Sequence, residues 1–182
     1  MNLRAVTLED KVQLHRPITR PAVRLNLGSG EDWMDHGVIN VDCRNLLPPD
    51  GITFLRADIA DLADMFADGC AAEIWAKDVL EHFPQAQAGT VLDEWIRLLA
   101  PGGVLHLKTP DLAALAEFIL RDAESDATKA SRVYGGQDYA ENFHRAGFTV
   151  PLLRSLLEAR GMEILEARNC EGTNLIITAR KR

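Results

Sequence analysis

Two short stretches of this chain combine residue types that can hold a ligand. Leu25-Asn26-Leu27-Gly28-Ser29-Gly30 reads as a buried strand running into a glycine loop. Ile39-Asn40-Val41-Asp42 reads as a second strand ending on a carboxylate. Glycine lets the backbone approach a ligand closely. A carboxylate at the tip of the next strand can accept hydrogen bonds from both hydroxyls of a ribose. Together they predict that an open α/β sheet grips an adenosine-type cofactor at one end. A dinucleotide site would ask for Gly-x-Gly-x-x-Gly, and position 33 is Trp. Metal chemistry finds no support in the spacing. The five histidines are spread out, neither His-x-x-x-His nor Cys-x-x-Cys occurs, and Cys43, Cys70 and Cys170 are scattered. No metal ligands are expected, and His82 with Asp78 would make a poor isolated zinc pair.

The elements that must position these residues follow from periodicity. Val23, Leu25 and Leu27 alternate, which predicts a first strand over 23–27. Further strands are expected over 38–41, 52–55, 73–76 and 104–107. Val91, Leu92, Trp95, Leu98 and Leu99 fall on one face of a helix, with Pro101-Gly102-Gly103 ending it. Asp111 can cap a helix whose apolar face is Leu112, Leu115, Phe118 and Ile119. The stretch 121–148 is polar and reads as a loop or lid. Thr149 caps a last helix that Gly161 closes, and strands over 162–167 and 175–179 form an antiparallel hairpin. Strands alternating with helices imply a parallel sheet, to which the hairpin adds one reversed strand.

Composition bounds the rest. The 182 residues suffice for one domain with a full core, and 47% hydrophobic with 26% charged residues is ordinary for a globular protein. The net charge of −7 argues against extended nucleic-acid binding, whose affinity comes from neutralising phosphates. No apolar run approaches the length of a membrane span. Residues 1–20 lack a signal-peptide core and read as an arm in which Thr7-x-x-Asp10 caps a short helix. The arm would pack on the surface, with a lid or a homodimer contact as its alternatives. Scattered cysteines suit a reducing cytoplasm.

The whole series resembles the Rossmann-like, class I S-adenosylmethionine-dependent methyltransferases. Leu27-Gly28-Ser29-Gly30 matches the family's cofactor loop, and Asp42 its ribose-binding acid. Asp58 matches the carboxylate that takes the adenine amino group, and Leu98 to Leu105 matches the Pro-Gly-Gly segment before the fifth strand. The resemblance implies a mostly parallel seven-stranded sheet with an antiparallel last strand and helices on both faces. It implies S-adenosylmethionine as cofactor, held by Leu27, Gly28, Ser29, Gly30, Asp42, Cys43, Asp58, Ile59 and Lys77. Val79-Leu80-Glu81-His82-Phe83, Pro110-Asp111-Leu112, Tyr134-Gly135-Gly136-Gln137 and the later Asn142, His144, Gly147 and Phe148 resemble a smaller subgroup. That subgroup is often encoded beside glycosyltransferases and in polysaccharide or natural-product clusters, which implies a small or sugar-containing acceptor.

Two departures matter. Only eight residues, 31–38, separate Gly30 from Ile39, too few for a three-turn first helix. The helix is expected to shrink to a turn, with Trp33 either covering the methionine end of the cofactor or packing on the sheet edge. The position before Val79, often histidine in relatives, is Asp78. A methyl transfer needs alignment of nucleophile, methyl and sulfur, and an oxygen or nitrogen acceptor can also need a base. His144 and His82 are the candidates for that base, with Asp78 and Glu141 weaker. Tyr134, Gln137, Asp138 and Asn142 could bind a polyhydroxylated acceptor, or only each other. A non-catalytic binding protein, or a nucleotide-sugar or nicotinamide enzyme, remains the alternative.

Overall fold

The computed structural model describes residues 18, 23–121, 124–170 and 172–182. Seven strands form one sheet: β1 Val23–Leu27, β2 Val38–Asp42, β3 Thr53–Arg56, β4 Ala71–Lys77, β5 Leu99–Pro110, β6 Met162–Cys170 and β7 Asn174–Lys181. Their order is β3-β2-β1-β4-β5-β7-β6. β7 runs antiparallel to both neighbours, and the pairs from β3 across to β5 are parallel. The chain reverses its direction of travel across the sheet between β1 and β4. That switch point opens a crevice at the carboxyl ends of the strands, where such sheets bind ligands.

The helices are α1 Ala88–Leu98, α2 Leu112–Arg121, α3 Asp126–Tyr134 and α4 Val150–Glu158. α1 buries Val91, Leu92, Trp95 and Leu98, and the Trp95 indole donates to Ile59 O at 2.9 Å. Thr149 caps α4 through the Leu152 N–H, with Leu153 and Leu157 facing the core. Asp111 Oδ1 accepts from Ala113 N at 3.1 Å at the start of α2. Only Leu115 of α2 is buried, while Leu112 and Ile119, expected on its apolar face, are exposed.

Two expectations need correction. The segment 121–148 contains a helix, α3, capped by Ser125, whose hydroxyl accepts from Thr128 N. None of its residues is buried, so it left no apolar period to read. Pro101-Gly102-Gly103 does not separate helix from strand, because β5 already begins at Leu99. Leu99 pairs with Ala71 and Val104 with Glu73, so residues 100–103 form a bulge within β5. A Cβ on Gly103 would lie 2.9 Å from Ala100 O and 3.0 Å from Ala71 O, which explains that glycine. The expected helix at Thr7 and most of the arm lie outside the described residues. Ile18 bridges to Phe66 and ties the chain there to the domain.

No helix stands between Gly30 and Val38. Two buried asparagines hold the loop instead. Asn26 and Asn40 are register partners on β1 and β2, and Asn26 Nδ2 donates to Asn40 Oδ1 at 3.0 Å. Asn40 Oδ1 also accepts from Met34 N at 2.9 Å, and Asn40 Nδ2 donates to Met34 O at 2.7 Å. Asn26 Nδ2 reaches Asp32 O at 2.9 Å. Trp33 meets Phe54 of β3 edge to face, with ring centres 5.4 Å apart, so it packs on the sheet edge and does not line the cleft.

Candidate functional site

A cleft of about 830 Å³ opens where β1, β2 and β4 end. Gly28, Ser29, Gly30, Asp42, Cys43, Asp58, Ile59 and Lys77 line it, with Asp78 and His82 at one side. Leu27 is fully buried and does not line the cleft. The loop is bound to β2: Gly28 N and Ser29 N both donate to Val41 O, at 2.8 and 3.1 Å. Gly30 N donates to Asp42 Oδ2 at 2.8 Å. Asp42 Oδ1 accepts from Arg44 N at 2.9 Å and Arg44 Nε at 3.2 Å. A carboxylate offers about four lone-pair sites, so Asp42 keeps room for a hydroxyl.

Arg44 was not foreseen from sequence, and neither was its partner. Its guanidinium sits over the Tyr139 ring at 4.5 Å. Tyr139, Ala140, Glu141 and Arg145 all line the cleft. The segment after α3 thus reaches over the cleft. Lys77 Nζ pairs with Asp32 Oδ2 at 3.0 Å at the cleft wall. Asp58 Oδ1 accepts from Ala60 N at 2.9 Å in a tight turn, which leaves Oδ2 for a ligand.

A second cavity of about 310 Å³ adjoins the first and shares Asp78, His82 and Tyr139 with it. His144 lines this second cavity and not the cleft. The His82 and His144 rings lie 5.2 Å apart. Burial, reinforced by the neighbouring His82 charge, holds His144 below the ordinary imidazole pKa. Asp78 adopts a left-handed backbone, φ 51°, its N–H donating to Lys108 O at 2.8 Å and its carboxylate 3.4 Å from Lys108 Nζ. Such geometry in a non-glycine residue is strained and clusters at functional sites.

Glu81 is the residue that sequence reasoning passed over. It is 1% exposed, and its Oε2 accepts from Thr109 Oγ1 at 2.9 Å. Burial pushes its carboxyl up to about 8, with the Asp78 charge adding to the shift and the Thr109 hydroxyl opposing it. The clue was a glutamate inside the apolar run Val79-Leu80, directly before a histidine. The polar residues proposed for an acceptor are engaged with one another. Asn142 Nδ2 donates to Asp138 Oδ1 at 2.5 Å, and Gln137 N donates to Asn142 O at 2.9 Å. Gly135 and Gly136 lie close under Asn142, where a Cβ would come within 2.6 Å of its atoms. They are packing positions.

A methyltransferase-domain family model matches residues 37–107, covering β2 through most of β5. No curated protein matches the sequence significantly. Among solved structures, the Burkholderia thailandensis 1,6-didemethyltoxoflavin-N1-methyltransferase, with bound 1,6-didemethyltoxoflavin and S-adenosylhomocysteine, superposes with a TM-score of 0.62. It is 21% identical over 94% of this chain and 76% of its own. A Mesorhizobium loti S-adenosylmethionine-dependent methyltransferase gives 0.62 at 16% identity, covering 93% of this chain and 95% of its own. The [4+2]-cyclase SpnF gives 0.60 at 16% identity, covering 93% and 78%. The chain carries the methyltransferase-domain signature and has the fold of the S-adenosylmethionine-dependent methyltransferases.

Proposed function

We propose that this protein transfers a methyl group from S-adenosylmethionine to an oxygen or nitrogen of a small or sugar-containing acceptor. The observation that carries the reading is the pair of adjoining cavities, divided at Asp78 and His82, with the glycine loop and Asp42 on one side. A cleft of about 830 Å³ suits a ligand of nucleoside size. The spare lone pair of Asp42 suits a ribose hydroxyl, and the free oxygen of Asp58 suits an amino group. The cofactor would supply an activated methyl sulfonium, so the residues need only bind, orient and manage a proton.

In this reading Asp42 and the Gly28–Ser29–Gly30 loop hold the ribose, with Cys43 and Ile59 beside the base. Without a first helix, no helix N-terminus is available for the methionine carboxylate. Lys77, at the end of β4 and on the cleft wall, takes that role by exchanging Asp32 for the ligand. The acceptor occupies the second cavity, and His82 and His144 govern its proton. The scattered cysteines suit a reducing cytoplasm. The sugar preference rests on the sequence resemblance.

Calorimetry with S-adenosylhomocysteine, followed by transfer of labelled methyl to a panel of hydroxyl and amine acceptors, tests the reading. Micromolar binding with transfer to at least one class is expected. Absence of binding at millimolar ligand would leave a scaffold on this fold. Binding without transfer to any acceptor would point to a reaction of another kind; SpnF, of similar fold, is a [4+2]-cyclase.

A further inference from the structure

Glu81, His82 and His144 each bring one potential ligand atom to within 4.8 Å of the others. Glu81 Oε1 is buried and has no hydrogen-bond partner among the described residues, while its twin oxygen holds Thr109. A buried polar atom left unpaired is costly and calls for a missing partner, such as an ion. Backbone carbonyls lie against both imidazoles. Those of Val133 and Arg132 favour the protonated form of His144 and oppose its lowered pKa. The His82 ring lies between Phe143 O, 3.2 Å from Nδ1, and Asp78 O, 3.1 Å from Nε2. A neutral imidazole can donate to only one of those carbonyls. Its other nitrogen keeps a lone pair that suits a Lewis acid. Metal-bound histidines characteristically keep their second nitrogen on a carbonyl or carboxylate in this way.

We propose that Glu81, His82 and His144 form a divalent transition-metal site at the wall of the second cavity. Two imidazoles and one carboxylate suit Zn²⁺, Co²⁺ or Mn²⁺, whereas Mg²⁺ and Ca²⁺ prefer all-oxygen sets. Three protein ligands leave positions open toward the cavity, as catalytic sites require. Sequence spacing could not show the trio, because the fold brings His144 back to Glu81 from a distant segment. Arg145 N and Ala146 N donate to Glu81 O, at 2.7 and 3.1 Å, and fix that return.

The chemistry of the site, unlike its existence, rests on the methyl-transfer reading. An acceptor hydroxyl bound to the cation ionises near neutral pH, its proton passing to water. The metal-held oxygen then bonds to the methyl carbon as the carbon–sulfur bond breaks, the electron pair remaining on sulfur. The site therefore favours a hydroxyl acceptor over an amine.

The test uses the full chain, treated with chelator and titrated with Co²⁺, read by visible absorption and by calorimetry. Affinity for S-adenosylhomocysteine is measured alongside. A single Co²⁺ per chain is expected, displaced by Zn²⁺ but not by millimolar Mg²⁺. Glu81→Gln and His144→Ala should each weaken it by about a hundredfold, at or beyond the loss seen for second-shell partners, while S-adenosylhomocysteine still binds. Failure of the folded wild type to take Co²⁺ or Zn²⁺ at millimolar concentration overturns the proposal, as does equal Co²⁺ binding by the variants. If Glu81→Gln does not fold, His144→Ala decides. S-adenosylhomocysteine binding without a metal site removes the cation and keeps the transferase reading; Co²⁺ binding without S-adenosylhomocysteine does the reverse.

Discussion

Gly28 is fixed by its neighbour before any ligand arrives. Its φ is +66°, and an added Cβ would collide with the Val79 side chain. A substitution here therefore costs fold stability as well as ligand space, which the glycine loop alone would not have shown. Gly28→Ala should destabilise the domain by about 1–3 kcal/mol, the range for overpacking. Combining it with Val79→Ala should return part of that loss, with a coupling above about 0.5 kcal/mol in a double-mutant cycle. Urea unfolding of the four proteins measures it, and strict additivity would mean that the strain is backbone alone. Asp42 also serves both structure and ligand, because its Oδ2 holds Gly30 N. Removing a charge-assisted hydrogen bond costs about 1.5–3 kcal/mol. Asp42→Ala should thus weaken S-adenosylhomocysteine about ten- to a hundredfold. Unchanged affinity in the folded variant would take the ribose away from Asp42.

At the level of elements, the missing first helix is replaced by side chains. Asn40 is fully buried and closes hydrogen bonds to Met34 N, Met34 O and Thr53 O. Asn40→Ala leaves those backbone groups unpaired, and should cost about 2–3 kcal/mol in urea unfolding. A loss below about 1 kcal/mol, the net worth of one hydrogen bond, would show that the loop is held by other means. The shortened linker was legible from the chain, because eight residues cannot hold the helix. Its replacement was not, because Asn26 and Asn40 act only as register partners across two strands. β1 was legible to the residue through its alternation, and α1 through Val91, Leu92 and Trp95. α3 was not, since a helix with no buried residue is announced only by its cap. That the glycine loop and the strand tips share one cleft was readable because they are local in sequence. The cluster of Glu81, His82 and His144 was not, because tertiary contacts assemble it.

Across the whole molecule, the two cavities are lined by distant segments. Lys77 and the glycine loop line only the larger one, and His144 only the smaller. Asp78, His82 and Tyr139 form the shared wall. A division of this kind makes the effects of substitution separable. Lys77→Met removes the cation proposed for the methionine carboxylate, and should weaken S-adenosylhomocysteine about tenfold, roughly the lower worth of a charge-assisted hydrogen bond. It should leave the Michaelis constant for the acceptor unchanged. His144→Ala should do the opposite. Its side chain lies outside the cofactor cleft, so S-adenosylhomocysteine affinity should stay within about threefold, under 1 kcal/mol. Methyl transfer should fall by about a hundredfold, the low end for losing control of a transferred proton. Calorimetry and steady-state kinetics on one acceptor measure both variants. Should His144→Ala lose cofactor affinity instead, the two cavities would act as one site, and the segment from Tyr139 to His144 would belong to the cofactor. Full activity in His144→Ala would reduce the residue to a fastening for the chain that carries Tyr139 over the cleft.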